Sequence, residues 1–407
     1  MKMTTELDPP WLLDWDAAFA AGPSIAGGKG WNLGRLHRYG FQVPDGGVLS
    51  ARAYARFMAD PQLVRLREDL KFVTADDAAA PESARRLEAM QAAIRSTPLP
   101  QEIASAVETF LRSRRLEDVP LAVRSSATAE DSAAASFAGI HTSRLGQVGL
   151  EGVLESIREC YASLWTPRAA AYRRRIGLSD DEVLCAVVLC RMVGAGGDPR
   201  KEPECAGVAF SCDPRSGRRD VVTIGAVRGL GEALVSGAAT PEEIVVQVGW
   251  EPAVIERRRA GDPGSRGGQA DQGRGSDRRD GVHQPGPGDV LNDELAIRLA
   301  YLVQRVHWAL GDGHNPQDVE WAYDGSTFWL LQARPVTRLP RYTFPGAERL
   351  PVVWSNANLK DALPGVLTPL AWSMTVAVIR RNLFAAHSAS GYEIPPGLEV
   401  CRRFSGR

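Results

Sequence analysis

The sequence predicts a mixed helix-and-strand fold of the α/β (α+β) class, and three observations carry that prediction. Arg- and Ala-rich stretches with helical spacing fill most of residues 54–115. Short apolar runs of strand length follow at 121–124, 183–188 and 206–210. A long amphipathic segment at 293–310 then precedes two alternating runs, 318–323 and 328–336, which read as a hairpin.

In chain order, residues 11–58 read as loop, short helix, strand and helix. A Gly-rich turn precedes a helix at 31–39, and Gly40 stands where a C-terminal cap belongs. Pro44 disfavours helix in the residue before it, so 41–44 is expected to be extended. The runs 183–188 and 206–210 flank a polar loop and are expected to pair. Residues 257–289 are crowded with Gly, Arg, Asp and Pro without apolar periodicity, which predicts a flexible surface insertion with solvated arginines. The helix at 293–310 is expected to present Leu295, Leu299, Leu302, Val303 and Val306 on one face.

Composition narrows the function classes. The 407 residues suffice for two domains or one large domain with an extension. Hydrophobic residues make up 44%, charged residues 24%, and the net charge is -1, so no nucleic-acid partner is expected and any anion site must be a local cluster. The six cysteines show no CxxC spacing, which argues against zinc and against a disulfide framework. The opening MKMTTELDPPWLLDWD is acidic where a signal peptide needs a basic and then an apolar segment, and no run reaches membrane-spanning length. A cytoplasmic location with no membrane partner is the expectation.

Three segments can carry chemistry. In Gly27-Gly28-Lys29-Gly30, glycines allow backbone amides to approach a ligand, a following helix N-terminus favours an anion, and Lys29 supplies a point charge. The same segment serves equally as an ordinary turn, and the GxxxxGK[ST] spacing of a P-loop is absent. In 123–131, Arg124 closes a buried strand and is trailed by hydroxyls and by Ser136-Phe137-Ala138-Gly139, a cradle for phosphate oxygens; Ser125 or Thr128 could also cap a helix.

The third segment is the hairpin. With a period of two, Asp318 and Glu320 share a face, as do Gln332 and Arg334. A three-residue loop at Gly325, Ser326 and Thr327 places Glu320 opposite Gln332 and Asp318 opposite Arg334. Oxygen ligands without His or Cys favour Mg2+ bridging phosphates beside a cation, whereas a plain surface hairpin would simply pair these charges.

Read together, GGKGWNLGRLHRYGFQVP, LAVRSSATAEDSAAASFAG, CAGVAFSCDPRSG, GLGEALVSGAATPEE and QDVEW with LLQARPVT resemble, in the same order, the nucleotide-binding region of the pyruvate phosphate dikinase, phosphoenolpyruvate synthase and rifampicin phosphotransferase family. The resemblance implies an ATP-grasp fold of two subdomains, 1–120 and 121–338, followed by a fragment of an acceptor-binding domain at 339–407. It implies ATP and Mg2+ as ligands, and transfer of the β-phosphoryl group to a histidine on a separate swivelling domain with release of AMP and phosphate.

By motif position the resemblance implies that Lys29 and Arg124 contact phosphates, with Gly139 and Thr142 alongside. Glu320 and Gln332 would hold the metal, and Arg334 would stabilise the transferred charge. It puts the adenine near Met192 and Val193, where Cys190 replaces the family's glutamine. Residues 353–370 are similar to the opening of the second domain in the rifampicin phosphotransferase branch. No Thr-Ser-His segment is present, and His387 reads as an ordinary helical histidine. The chain is therefore expected to be a dikinase-type phosphotransferase module cut before its phosphohistidine domain, which a partner chain could supply in trans. The alternative is a non-catalytic ATP-binding regulatory or scaffold remnant.

Overall fold

The computed structural model describes residues 11–128, 143–180, 182, 184–235, 237, 239–249, 252–258, 289–337, 339–340, 373–378 and 381. Two compact units are distinguished. The larger comprises 1–211 and 222–338 and contains the two sheets described below; the smaller comprises 212–221 and 339–407. Within the smaller unit the described residues include a tight turn, in which the Asp213 N–H donates to the Arg218 carbonyl and the Gly217 N–H to the Asp213 carbonyl, and a short helix at 373–378.

The first sheet has five strands in the order β1 (Leu12–Leu13), β2 (Gly46–Leu49), β5 (Cys185–Arg191), β3 (Leu121–Ala127) and β4 (Ser143–Gln147). β5 lies between β2 and β3, antiparallel to both, and its first six residues are all buried. That double-sided burial explains why it reads as a continuous apolar run. The sheet takes strands from both sides of residue 120.

One face of this sheet packs against α3 (Ala51–Phe57), α4 (Pro61–Leu70), α5 (Pro81–Ser96), α6 (Gln101–Ser113) and α7 (Gly149–Ser163) in a single apolar cluster around Leu87, Met90, Ile103, Val107, Tyr161 and Trp165. The opposite face carries α1 (Trp15–Ala21) and α2 (Pro23–Arg38).

The second sheet has six strands in the order β11 (Phe328–Pro335), β10 (Gln317–Tyr323), β6 (Cys205–Phe210), β7 (Val221–Arg228), β8 (Glu242–Gln247) and β9 (Ala253–Arg258). α8 (Asp293–Gly311) covers it with Leu299, Val303 and Val306 buried, and Asn292 caps the helix by accepting from the Leu295 N–H at 2.8 Å. The α+β class expected from the sequence is met by this combination of helices and antiparallel sheets.

Several local expectations change. The runs at 183–188 and 206–210 do not pair, because β5 and β6 belong to different sheets and the chain passes between sheets across 192–204. The insertion does not begin at Arg257. That residue lies in β9 with only 3% of its side chain exposed, donating to Glu242 at 2.5 Å, the Leu291 carbonyl at 2.9 Å and Asp293 at 2.7 Å. A buried guanidinium requires such partners, so Arg257 joins the strand to the residues that resume at 289. Residues 259–288 lie outside the described residues.

The capping glycine is where the sequence puts it. Gly40 has φ +78°, its N–H donates to the His37 carbonyl, and the Phe41 N–H donates to the Leu36 carbonyl, a Schellman pair that ends α2.

Candidate functional site

The Gly27-Gly28-Lys29-Gly30 segment is not an open loop. It lies within α2, which kinks at Gly27 (φ 66°, ψ 169°). The glycines permit close packing: a β-carbon on Gly30 would meet Val48 at 2.7 Å, and one on Gly34 would meet the Trp15 carbonyl oxygen at 2.7 Å. The Gly30 N–H already donates to Ser126 Oγ at 3.1 Å, so this amide faces the protein rather than a ligand. Lys29 stays half-buried, with Nζ donating to the Ser125 carbonyl at 3.1 Å. The cation thereby sits beside the backbone of the residue that follows Arg124.

Arg124 extends from β3 on the face shared by Ala122, Val188 and Cys190. Its guanidinium reaches the second sheet. Nη2 donates to Glu320 Oε2 at 2.5 Å and to Gln332 Oε1 at 3.1 Å, and Nη1 donates to the Leu331 carbonyl at 3.1 Å. Nε lies 3.4 Å from Ser143 Oγ. Glu320 is 196 residues away in sequence and Gln332 is 208 away, so this contact exists only through the tertiary fold.

The hairpin register places Glu320 opposite Gln332 and Asp318 opposite Arg334. The turn spans four residues, 324–327, rather than three, because Tyr323 pairs with Phe328. A bulge compensates: Trp321 faces Leu330 and Glu320 faces Gln332, leaving Leu331 as the extra residue. Its carbonyl receives Arg124. Asp324 organises the turn through Oδ1, which accepts from the Ser326 and Thr327 amides, while Oδ2 accepts from Trp329 Nε1 at 2.7 Å.

Arg334 donates through Nε to Asp318 Oδ2 at 2.9 Å, and its Nη2 lies 2.8 Å from the same oxygen. Burial pushes the Asp318 carboxyl above the usual carboxylate range and the neighbouring Glu320 adds to this, while Arg334 opposes it. Two carboxylates and two guanidinium groups thus alternate on one patch, joined by the Gln332 amide oxygen.

The donor chemistry of Glu320 and Gln332 fits Mg2+, a hard cation that takes oxygen ligands and is held in nucleotide sites by one or two carboxylates plus phosphate oxygens and water. Among the described residues no group of three or more His, Cys, Asp and Glu side chains gathers to hold a metal by itself.

Met192 and Val193 leave β5 at the far end of the same strand. The Met192 N–H donates to the Pro120 carbonyl at 2.9 Å. Both residues line a cavity of about 370 Å3 with Trp15, Pro44, Arg191 and Trp329. Lys29, Arg124, Glu320, Gln332 and Arg334 do not line it. Cys190 is buried across from Ala122; burial pushes its thiol up to about 11, with the Arg124 charge opposing.

The fold therefore brings Arg124, Glu320 and Gln332 into direct contact, pairs Arg334 with Asp318 on the same hairpin and holds Lys29 at the Ser125 carbonyl, while Met192 and Val193 line a cavity that none of these residues lines. Gly139, Thr142 and His387 lie outside the described residues. Two participants escaped sequence reasoning. Ser143 sits one residue past Thr142 and four past the end of the quoted motif, and the Leu331 carbonyl becomes available only through a bulge that periodicity does not reveal. Among the described residues no helix is long and apolar enough to cross a membrane.

Residues 23–346 match the family described as pyruvate phosphate dikinase, AMP/ATP-binding domain. The chain is 36% identical over 371 residues to a rifampicin phosphotransferase of Streptomyces sp, covering 89% of this chain and 40% of that relative. It is 33% identical over 365 residues to a rifampicin phosphotransferase of Bacillus subtilis, covering 88% and 40%. A phosphoenolpyruvate synthase of Pyrococcus furiosus is 33% identical over 364 residues, covering 77% and 42%. The chain spans about 40% of the length of these curated relatives. With the family match extending over every strand but β1, the hairpin included, this chain belongs to the pyruvate phosphate dikinase AMP/ATP-binding domain family.

Proposed function

We propose that the chain binds Mg-ATP at the Arg124–Glu320–Gln332 cluster and presents the β-phosphoryl group to a histidine on a swivelling domain, with AMP and phosphate as products. The observation that carries this reading is the convergence of Arg124 on Glu320 and Gln332 from the other sheet. Side chains so far apart in sequence meet here as one cation, one carboxylate and one amide oxygen, the combination a triphosphate and its divalent ion require.

In this reading Lys29 and Arg124 bind phosphate oxygens, Glu320 and Gln332 hold the metal, and Arg334 stabilises charge on the group in transit. A bound Mg2+ would bridge phosphate oxygens and offset their negative charge. The base would lie toward Met192 and Val193. Along β5 the step from Val188, opposite Arg124, to Met192 is four residues, about 13 Å at ~3.3 Å per residue, within reach of an extended nucleoside triphosphate. Gly139 and Thr142 would add phosphate contacts, and the two sheets, rather than residues 1–120 and 121–338, would act as the two halves of the nucleotide cleft, because the first sheet draws strands from both sides of residue 120. The acceptor histidine would come from a phosphohistidine domain, and the cytoplasm, where ATP is abundant, is the proposed site of action.

Calorimetric titration of ATP with and without Mg2+ tests the reading. Wild-type chain should bind ATP more tightly with Mg2+ present, and Glu320→Ala should remove that enhancement. Wild-type binding that is indifferent to the metal would end the proposal.

A further inference from the structure

The guanidinium of Arg124 holds the same two oxygens that the Mg-ATP reading assigns to the metal. Nη2 binds Glu320 Oε2 at 2.5 Å and Gln332 Oε1 at 3.1 Å. The pair is largely enclosed, with 14% of the Arg124 side chain and 24% of the Glu320 side chain exposed. Screening by water is correspondingly weak, and a divalent cation beside Glu320 would meet a guanidinium already in place. Asp318, on the same face two residues away, is likewise held by Arg334. The two acidic side chains of the patch therefore each have an arginine of this chain as partner.

Arg124 also has somewhere to remain once Glu320 is taken from it. Its Nη1 is anchored on the bulge carbonyl of Leu331, and its Nε lies 3.4 Å from Ser143 Oγ. Freeing the carboxylate requires the Nη2 contacts to break, and the Nη1 anchor on Leu331 can stay in place. An anionic phosphate group arriving between the sheets would offer the guanidinium a replacement partner of the same charge as the one it gives up.

We propose that Arg124 is a counter-cation that keeps divalent metal out of the nucleotide-free site, and that the phosphates of the nucleotide release Glu320 and Gln332 by drawing the guanidinium to themselves. Metal and nucleotide then bind as a coupled pair, and the coupling resides in one side chain that exchanges a carboxylate for a phosphate. The identity of the metal ligands rests on the Mg-ATP reading above; the exclusion of free metal by Arg124 is the new element.

Mn2+ serves as the probe, because the free ion is read directly by electron paramagnetic resonance. Without nucleotide, Arg124→Gln should bind Mn2+ about tenfold more tightly than wild type, within the range usual for coupling between sites. The gain should vanish in Arg124→Gln combined with Glu320→Gln. Equal Mn2+ affinity in wild type and Arg124→Gln, or a gain that survives loss of the Glu320 carboxylate, would overturn the proposal.

Circular dichroism establishes that the variants are folded. Should Arg124→Gln not fold, Arg124→Lys replaces it: a single ammonium group cannot reproduce the guanidinium's simultaneous hold on Glu320, Gln332 and Leu331, so Mn2+ affinity should again rise above wild type, and an unchanged value overturns the idea. A parallel titration of wild type with Mn-ATP separates the two readings. Binding of Mn-ATP without a gain in the variant removes the counter-cation role alone, whereas a gain without Mn-ATP binding removes the nucleotide assignment alone.

Discussion

Gly27 lies so close to Ser126 that a β-carbon on Gly27 would stand 2.0 Å from the Ser126 carbonyl oxygen and 2.3 Å from its hydroxyl. The glycine also has φ +66°, a region costly to side chains. This contact seats the kink of α2, with Lys29 two residues on, against the strand that carries Arg124. Gly27→Ala is expected to lower stability by about 2–5 kcal/mol, combining left-handed strain with overpacking. Gly22→Ala has a similar φ of +76° but nothing within 4 Å, and should cost only about 1–2 kcal/mol. Urea denaturation of the two variants measures the difference, and equal losses would contradict the packing argument.

Removing the Arg257 side chain should be among the more damaging single changes. Arg257 and Glu242 are 3% and 4% exposed, and Glu242 Oε2 also accepts from the Val290 N–H at 2.8 Å. Arg257→Ala strands a buried carboxylate and is expected to cost about 3–5 kcal/mol, measured by urea denaturation. Exposed Arg86, paired with Glu82 along α5, should lose less than about 1 kcal/mol on the same change.

The turn aspartate gives an acid dependence of defined sign. Burial raises the Asp324 carboxyl, yet hydrogen bonds from Trp329, Thr327 and Ser326 outweigh it and hold the group below its ordinary range. A depressed folded-state pKa contributes stability that is present above the unfolded value of about 3.9 and is lost as pH falls through the folded value. Melting temperatures recorded from pH 6 down to pH 2.5 should therefore fall less steeply, below pH 4, in Asp324→Asn than in wild type. Parallel curves would show that Asp324 contributes nothing to the acid transition.

Deleting Leu331 tests the bulge. Without the extra residue, the register set by Tyr323 and Phe328 would carry through the strand pair with Gln332 still facing Glu320, but the bulge carbonyl that accepts from Arg124 would be gone. The shortened chain is expected to bind Mg-ATP about tenfold more weakly while keeping its helical circular dichroism, and unchanged binding would show that the Leu331 carbonyl is not required to position Arg124.

The hairpin illustrates both the reach and the limit of sequence reading. Alternation alone puts Asp318, Glu320, Gln332 and Arg334 on one patch, and the pairing Glu320–Gln332 is correct. It is correct through two departures that cancel, a turn one residue longer than expected and a bulge at Leu331. Neither leaves a periodic signal, since a bulge is fixed by tertiary contacts such as the one Arg124 makes. The glycines of α2 were legible as a close approach, but the sequence does not say whether a ligand or Ser126 is what approaches. The mistaken pairing of β5 with β6 has the same origin: both are apolar runs joined by a polar loop, and only the packing of β5 between β2 and β3 assigns it to the other sheet.

The central place of β5 has a consequence for biosynthesis. β2 and β3 leave the ribosome well before residue 185, and each must await the strand that will lie between them. Through that interval two apolar edges stand unzipped, which is the window in which a nascent polypeptide is most open to aggregation and in which a chaperone would have the most to shield.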